Sequence, residues 1–270
     1  MGLLQDFYKG KGDWRILFVM TFIVLLFPYL VPLGIPVPIS QSTRDFKSVL
    51  DNIPSGGTVM IDFEGTPASW ANLGALTVAV SNVCFERDIN IIYLTFAMEA
   101  PDVHTRIVEN TKLYDTLVYG EDYMNVGYVP GVETGMASWA ADTRFISIDH
   151  HGNDVASLPI MKDIHTMGDL DAVIFVSGTT PDPWFRQFGP YNVPLLSGAQ
   201  GGLVPIIQPY YQSGQLAAYL DDVKGAAELE QLSGIPGLAL SKMDQVNLLY
   251  IFAVLLIIMG NLGRIMGKEE

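Results

Sequence analysis

Residues 16–33 (ILFVMTFIVLLFPYLVPL) run for eighteen positions without a charge. At ~1.5 Å per residue that is roughly 27 Å of apolar helix, close to one bilayer core. A second apolar run, residues 246–263, is broken only by Asn247 and Asn261. Between the two the period changes. Short β-branched and aromatic runs alternate with helix-spaced apolar positions, which is the arrangement of parallel βαβ units. Strands are expected at 58–63 (TVMIDF), 90–96 (NIIYLTF), 124–129, 145–148, 172–177 (AVIFVS) and 193–196. Helices are expected at 69–87, 102–117, 133–141 and 213–232, the last with Leu216, Leu220, Val223 and Ala227 in helical register. The pattern predicts a short basic tail (1–15), a spanning helix (16–35), one α/β domain (36–243), a second spanning helix (244–264) and a short tail (265–270). The domain reads as a three-layer sandwich around a mainly parallel sheet.

Charge and proline sharpen this outline. The stretch 36–245 carries 25 acidic residues against 10 basic ones, while the whole chain has a formal net charge of −14. No Lys/Arg cluster is present, so a nucleic-acid partner is excluded as an expectation. Lys9, Lys11 and Arg15 precede the first apolar run, and Arg264 and Lys268 follow the second. By the positive-inside rule both termini are expected in the cytoplasm, with the acidic domain on the other side. The GIPVPIS that follows Leu33 lacks an A-x-A-type cleavage site, so an uncleaved anchor is expected, and residues 32–38 read as a stiff proline-spaced linker. Cys84 stands alone among apolar residues, where a thiol is buried and inert.

In open parallel sheets ligands sit beyond the carboxyl ends of the strands. The residues placed there make a set of crevice candidates: Glu64, Thr66, Glu99, Glu133, Ser177, Thr179 and Asp182. Asp149-His150-His151, at the end of FISI, resembles the signature of the DHH phosphoesterases. That resemblance implies a Mn²⁺ or Mg²⁺ site for phosphoester hydrolysis, with Asp62 in Ile61-Asp62-Phe63-Glu64-Gly65 standing where the family has an Asp-x-Asp element, and Glu64 beside it. Carboxylate oxygen and imidazole suit such ions. Residues 128–145 (YVPGVETGMASWAADTRF) resemble the ClpP/crotonase-like domain of signal-peptide-peptidase-A proteases, which makes that fold the alternative to a Rossmann-like sheet. The expected serine position reads Gly131-Val132-Glu133-Thr134-Gly135, so the resemblance implies a peptidase-like domain without its nucleophile.

No G-x-S-x-G, G-x-x-x-x-G-K-[ST] or strand-linked G-x-G-x-x-G occurs. Tyr210, Tyr211, Tyr219 and Ala226 combine aromatic and small residues and are the candidate interface with a second copy or other membrane subunits. That segment, with residues 119–130, resembles uncharacterised prokaryotic membrane proteins, which implies a prokaryotic cell membrane as location. The functional expectation is a membrane-anchored, oligomeric, non-enzymatic accessory subunit of a membrane complex. A metal-dependent phosphoesterase and a degenerate peptidase-like binding domain are the alternatives.

Overall fold

The computed structural model describes residues 14–31, 33–98 and 101–266. It divides into two units: Val37–Ala239, and the described parts of Met1–Pro36 with Leu240–Glu270.

The first unit is built on six parallel strands, β1 (Thr58–Glu64), β2 (Asn90–Thr95), β3 (Tyr123–Tyr128), β4 (Ala172–Ser177), β5 (Leu195–Ala199) and β6 (Ala218–Asp221). Their order is β3-β2-β1-β4-β5-β6, the doubly wound order of the Rossmann-like alternative. β1, β2 and β4 are mainly apolar and buried along almost their whole length, as central parallel strands must be, with Asp62 and Glu64 of β1 the acidic exceptions. One face of the sheet is covered by α2 (Gln41–Asn52), α3 (Leu73–Glu86), α4 (Pro101–Glu109) and α8 (Asp222–Ser233). The other carries α5 (Glu133–Ala141), α6 (Asp182–Phe188), α7 (Val204–Gln212) and the segment 143–170, packed around Trp139, Trp184, Phe175 and Phe188.

Helix α3 is apolar on all sides, and Leu73 to Phe85 are all buried. That is the behaviour of a helix enclosed by the sheet and by its neighbouring helices. Helix α2 starts on Ser40, whose hydroxyl accepts from the Thr43 N–H. The buried Glu228 of α8 takes the Ser40 N–H at 2.9 Å and the Thr43 hydroxyl at 2.7 Å, so a carboxylate sits at the positive end of α2.

Several sequence expectations are corrected. Residues 145–148 form no strand; Ile148 pairs only through an isolated antiparallel bridge with Asp154. The expected helix 213–232 is strand β6 followed by α8, because Gly214 (φ 79°) and Asp222 (φ 51°) turn the chain at both ends of the strand. The expected helix 102–117 ends at Glu109 and resumes as a 3₁₀ turn at Tyr114–Thr116.

The second unit holds α1 (Trp14–Leu30) and most of α9 (Leu238–Met266). Residues 238–262 of α9 are long and apolar enough to cross a membrane, and the most apolar eighteen-residue stretch among them has no buried residue. Helix α1 has 17 residues, about 25 Å at ~1.5 Å per residue. Among the described residues, therefore, one helix meets the length of a membrane span rather than one at each end. The Asp244 carboxylate in α9 accepts the backbone N–H groups of Leu33 and Gly34 on Oδ2 (2.8 and 2.9 Å) and of Ile35 on Oδ1 (2.9 Å). The chain leaving α1 is thus fixed to α9.

Candidate functional site

The strand order reverses between β1 and β4, so the topological switch point lies where those two strands end. Glu64 pairs in register with Ser177, and Asp62 with Phe175. Asp62 and Glu64 are two residues apart and project from the same face of β1. Trp184, on α6, stacks on Phe175 at 4.9 Å and donates its indole N–H to Asp62 Oδ2 at 2.7 Å. Asp62 Oδ1 and Glu64 Oε1 are buried without a hydrogen-bond partner. Burial, then the neighbouring Glu64 charge, pushes the Asp62 carboxyl well above the usual carboxylate range, against the bonds from Trp184 and the Phe96 backbone. Burial raises Glu64 as well. Both shifts oppose full ionisation of the pair, which favours a shared proton at the switch point.

The rim residues are satisfied largely by one another. Ser177 and Thr179 hydroxyls lie 2.8 Å apart, and the Thr179 N–H donates to Ser177 Oγ. The Tyr210 hydroxyl donates to Asp182 at 2.8 Å, tying α7 to α6. Glu133 at the start of α5 accepts from Arg186 Nε at 3.2 Å and Gln187 Nε2 at 3.1 Å on α6. Thr66 opens the 3₁₀ turn Pro67–Ala71, its N–H on Ser69 Oγ at 2.9 Å. The structure thus places Glu64, Thr66, Glu133, Ser177, Thr179 and Asp182 around the carboxyl ends of the strands and their first helical turns. Glu99 lies outside the described residues. Sequence reasoning missed Trp184, whose only signal was a large apolar residue in the first turn after β4.

Asp149-His150-His151 is a separate place. β3 is the edge strand, so β2 stands between it and β1. At ~4.8 Å per strand that puts roughly 10 Å between the β1 acids and the β3 edge that the histidines adjoin. Asp149, 5 % exposed, closes its own loop. Its Oδ1 accepts the N–H groups of His151 (2.9 Å) and Asn153 (2.8 Å), and its Oδ2 accepts the Tyr119 hydroxyl (2.6 Å) and Asn153 Nδ2 (3.0 Å). Burial would raise this carboxyl, but the bonds from Tyr119, Asn153 and His151 together hold it below the usual range. His150 donates its backbone N–H to the Asn125 carbonyl and covers the sheet edge. Among the described residues no three His, Cys, Asp or Glu side chains are grouped to hold a metal ion. The four residues of the expected metal set are not brought together: Asp149 accepts bonds within its own loop, and Asp62 lies at the switch point.

Beside this loop is a cavity of about 250 Å³, lined among others by His104, Tyr119, Tyr123 and His151. Strand β3 bulges here: Tyr93 faces Asn125 but Leu94 faces Gly127, with Gly127 at φ 86°. The bulge turns the Asn125 side chain so that its Oδ1 meets the Gly127 N–H (2.9 Å) and His104 Nδ1 (3.1 Å). His104 is 1 % exposed, its Nε2 lacks a hydrogen-bond partner, and burial lowers its pKa to about 3. The sequence signal for it was a single polar residue beside Val103, Ile107 and Val108.

The interface candidates are used inside the domain. Ala226 is wholly buried, which corrects its assignment to an interface. Tyr210 stacks on Phe185 at 4.2 Å, Tyr211 bonds to Asp45, and Tyr219 meets Tyr211 edge-on at 5.5 Å. Cys84 is fully buried, and burial pushes its thiol up to about 12, as an inert core residue.

No protein-family model matches the chain, and no curated protein or solved structure matches it either.

Proposed function

We propose that this protein is a membrane-tethered, non-catalytic α/β subunit that works as an accessory within a membrane assembly. The observation that carries the reading is α9, which exposes Tyr250, Ile251, Val254, Leu255, Ile257 and Ile258 on a helix of spanning length. Exposed apolar surface on that scale requires lipid or a partner. Helix α3 is the internal contrast, since it is comparably apolar and fully enclosed.

In this reading α1 crosses beside α9 as a short second span, supported by their membership in one unit and by the Asp244 clip on residues 33–35. The flanking basic residues then place both termini in the cytoplasm. A non-catalytic role is supported by the switch-point rim, where Glu133, Asp182, Ser177 and Thr179 are taken up by neighbouring side chains.

The test is the mass of the particle extracted in mild detergent, by light scattering with the micelle contribution subtracted. An assembly is expected, either several copies or a defined set of partners in fixed ratio. A strictly monomeric particle overturns the accessory reading.

A further inference from the structure

Aromatic rings dominate the lining of the cavity beside β3, with Tyr93, Tyr114, Tyr119, Tyr123, His104 and His151 on its walls. The Tyr119 ring meets Tyr123 at 5.2 Å and 89°, and His151 at 4.8 Å and 90°, while Tyr114 adds a further ring. We propose that this cavity is a cage for a quaternary ammonium group.

Two of the four tyrosine hydroxyls on the lining are already taken up inside the protein. The Tyr119 hydroxyl is bound to Asp149, and that of Tyr93 to Ser81 at 2.8 Å. A primary ammonium needs acceptors for three N–H groups; a methylated one needs only π faces and negative surroundings. The surroundings are negative. Asp149 stands behind Tyr119, and the charges of Glu109 and Asp122 act on Tyr123. Among the described residues no Lys or Arg lines the cavity. The histidine in its floor, His104, stays neutral because burial opposes its protonation.

The walls are also fixed in advance of any ligand, which lowers the cost of binding. Tyr119 is held by Asp149, and His104 by Asn125 at the bulge. A volume of about 250 Å³ falls just under the ~300–1,000 Å³ of drug-sized sites, so the occupant is a small head group.

The proposal is tested on the full chain in a maltoside detergent, which carries no ammonium. Calorimetric titration is done with choline, with tetramethylammonium, and with 3,3-dimethyl-1-butanol, the uncharged isostere of choline. Saturable binding of both cations is expected, with the isostere weaker by about tenfold or more. Tyr123→Leu is expected to weaken the cations by a similar factor, and Tyr123→Phe, which keeps the ring, to retain them. Competition by phosphatidylcholine vesicles identifies a lipid head group as the source; no competition identifies a free cation. Equal affinity for the isostere, no saturable cation binding, or undiminished binding by Tyr123→Leu overturns the cage.

Discussion

Asp62 carries a carboxyl group whose ionisation the fold opposes. Burial and the Glu64 charge raise its pKa, and the Trp184 indole holds it in place. The sign of the consequence follows from linkage. Between the ordinary carboxylate range and the raised native value, the unfolded chain has released a proton that the folded chain retains. Folding stability therefore falls as pH rises through that window. Asp62→Asn removes the titration and keeps an acceptor for Trp184. Its thermal midpoint is expected to exceed that of the wild type at pH 8, and the gap to close towards pH 4. The gap should be on the order of the 2–4 °C that 1 kcal/mol makes in a domain of this size. A gap independent of pH contradicts the assignment. The Asp62/Glu64 spacing was legible in the sequence, since residues two apart on a strand share a face. Their partner was not, because Trp184 is 122 positions away and no local pattern encodes that contact. The Asp149 triplet was legible as a motif, but its local bonds were not: Tyr119, His151 and Asn153 all donate to the Asp149 carboxylate, and Tyr119 is 30 positions away.

At the scale of elements, apolar periodicity located β1, β2, β3 and β4 within a residue or two, because buried parallel strands are continuous hydrophobic runs. It failed at β6. Four residues of strand are too short to show alternation, and Leu216, Leu220 and Val223 fall by coincidence at helical spacing. Periodicity also cannot separate α3 from α9, since what covers a helix is not written in its own residues. The element most exposed to test is the clip between α9 and the chain leaving α1. Asp244→Ala leaves three N–H groups without their carboxylate, a local loss on the order of 2–3 kcal/mol. Limited proteolysis in detergent is expected to cut between residues 30 and 40 at least about tenfold faster than in the wild type. Equal rates would mean that the clip does not hold this segment.

At the scale of the whole chain, the α/β class was legible because the alternation of periods two and 3.6 is local. The strand order was not, since it depends on which strands meet across 80 residues or more, as β1 and β4 do. The domain carries an excess of acid, while the apolar surface of α9 calls for lipid. Membrane insertion of α9 is the central claim, and substituted-cysteine labelling tests it most directly. In a Cys84→Ala background, Ile257→Cys is placed on a side chain that is 63 % exposed in the folded chain, so in water it would react freely. In native membranes a water-impermeant maleimide is expected to leave Cys at position 257 unmodified until SDS is added, while a Ser157→Cys control on the α/β domain reacts in membranes opened to both sides. Full labelling of position 257 before SDS would contradict the account.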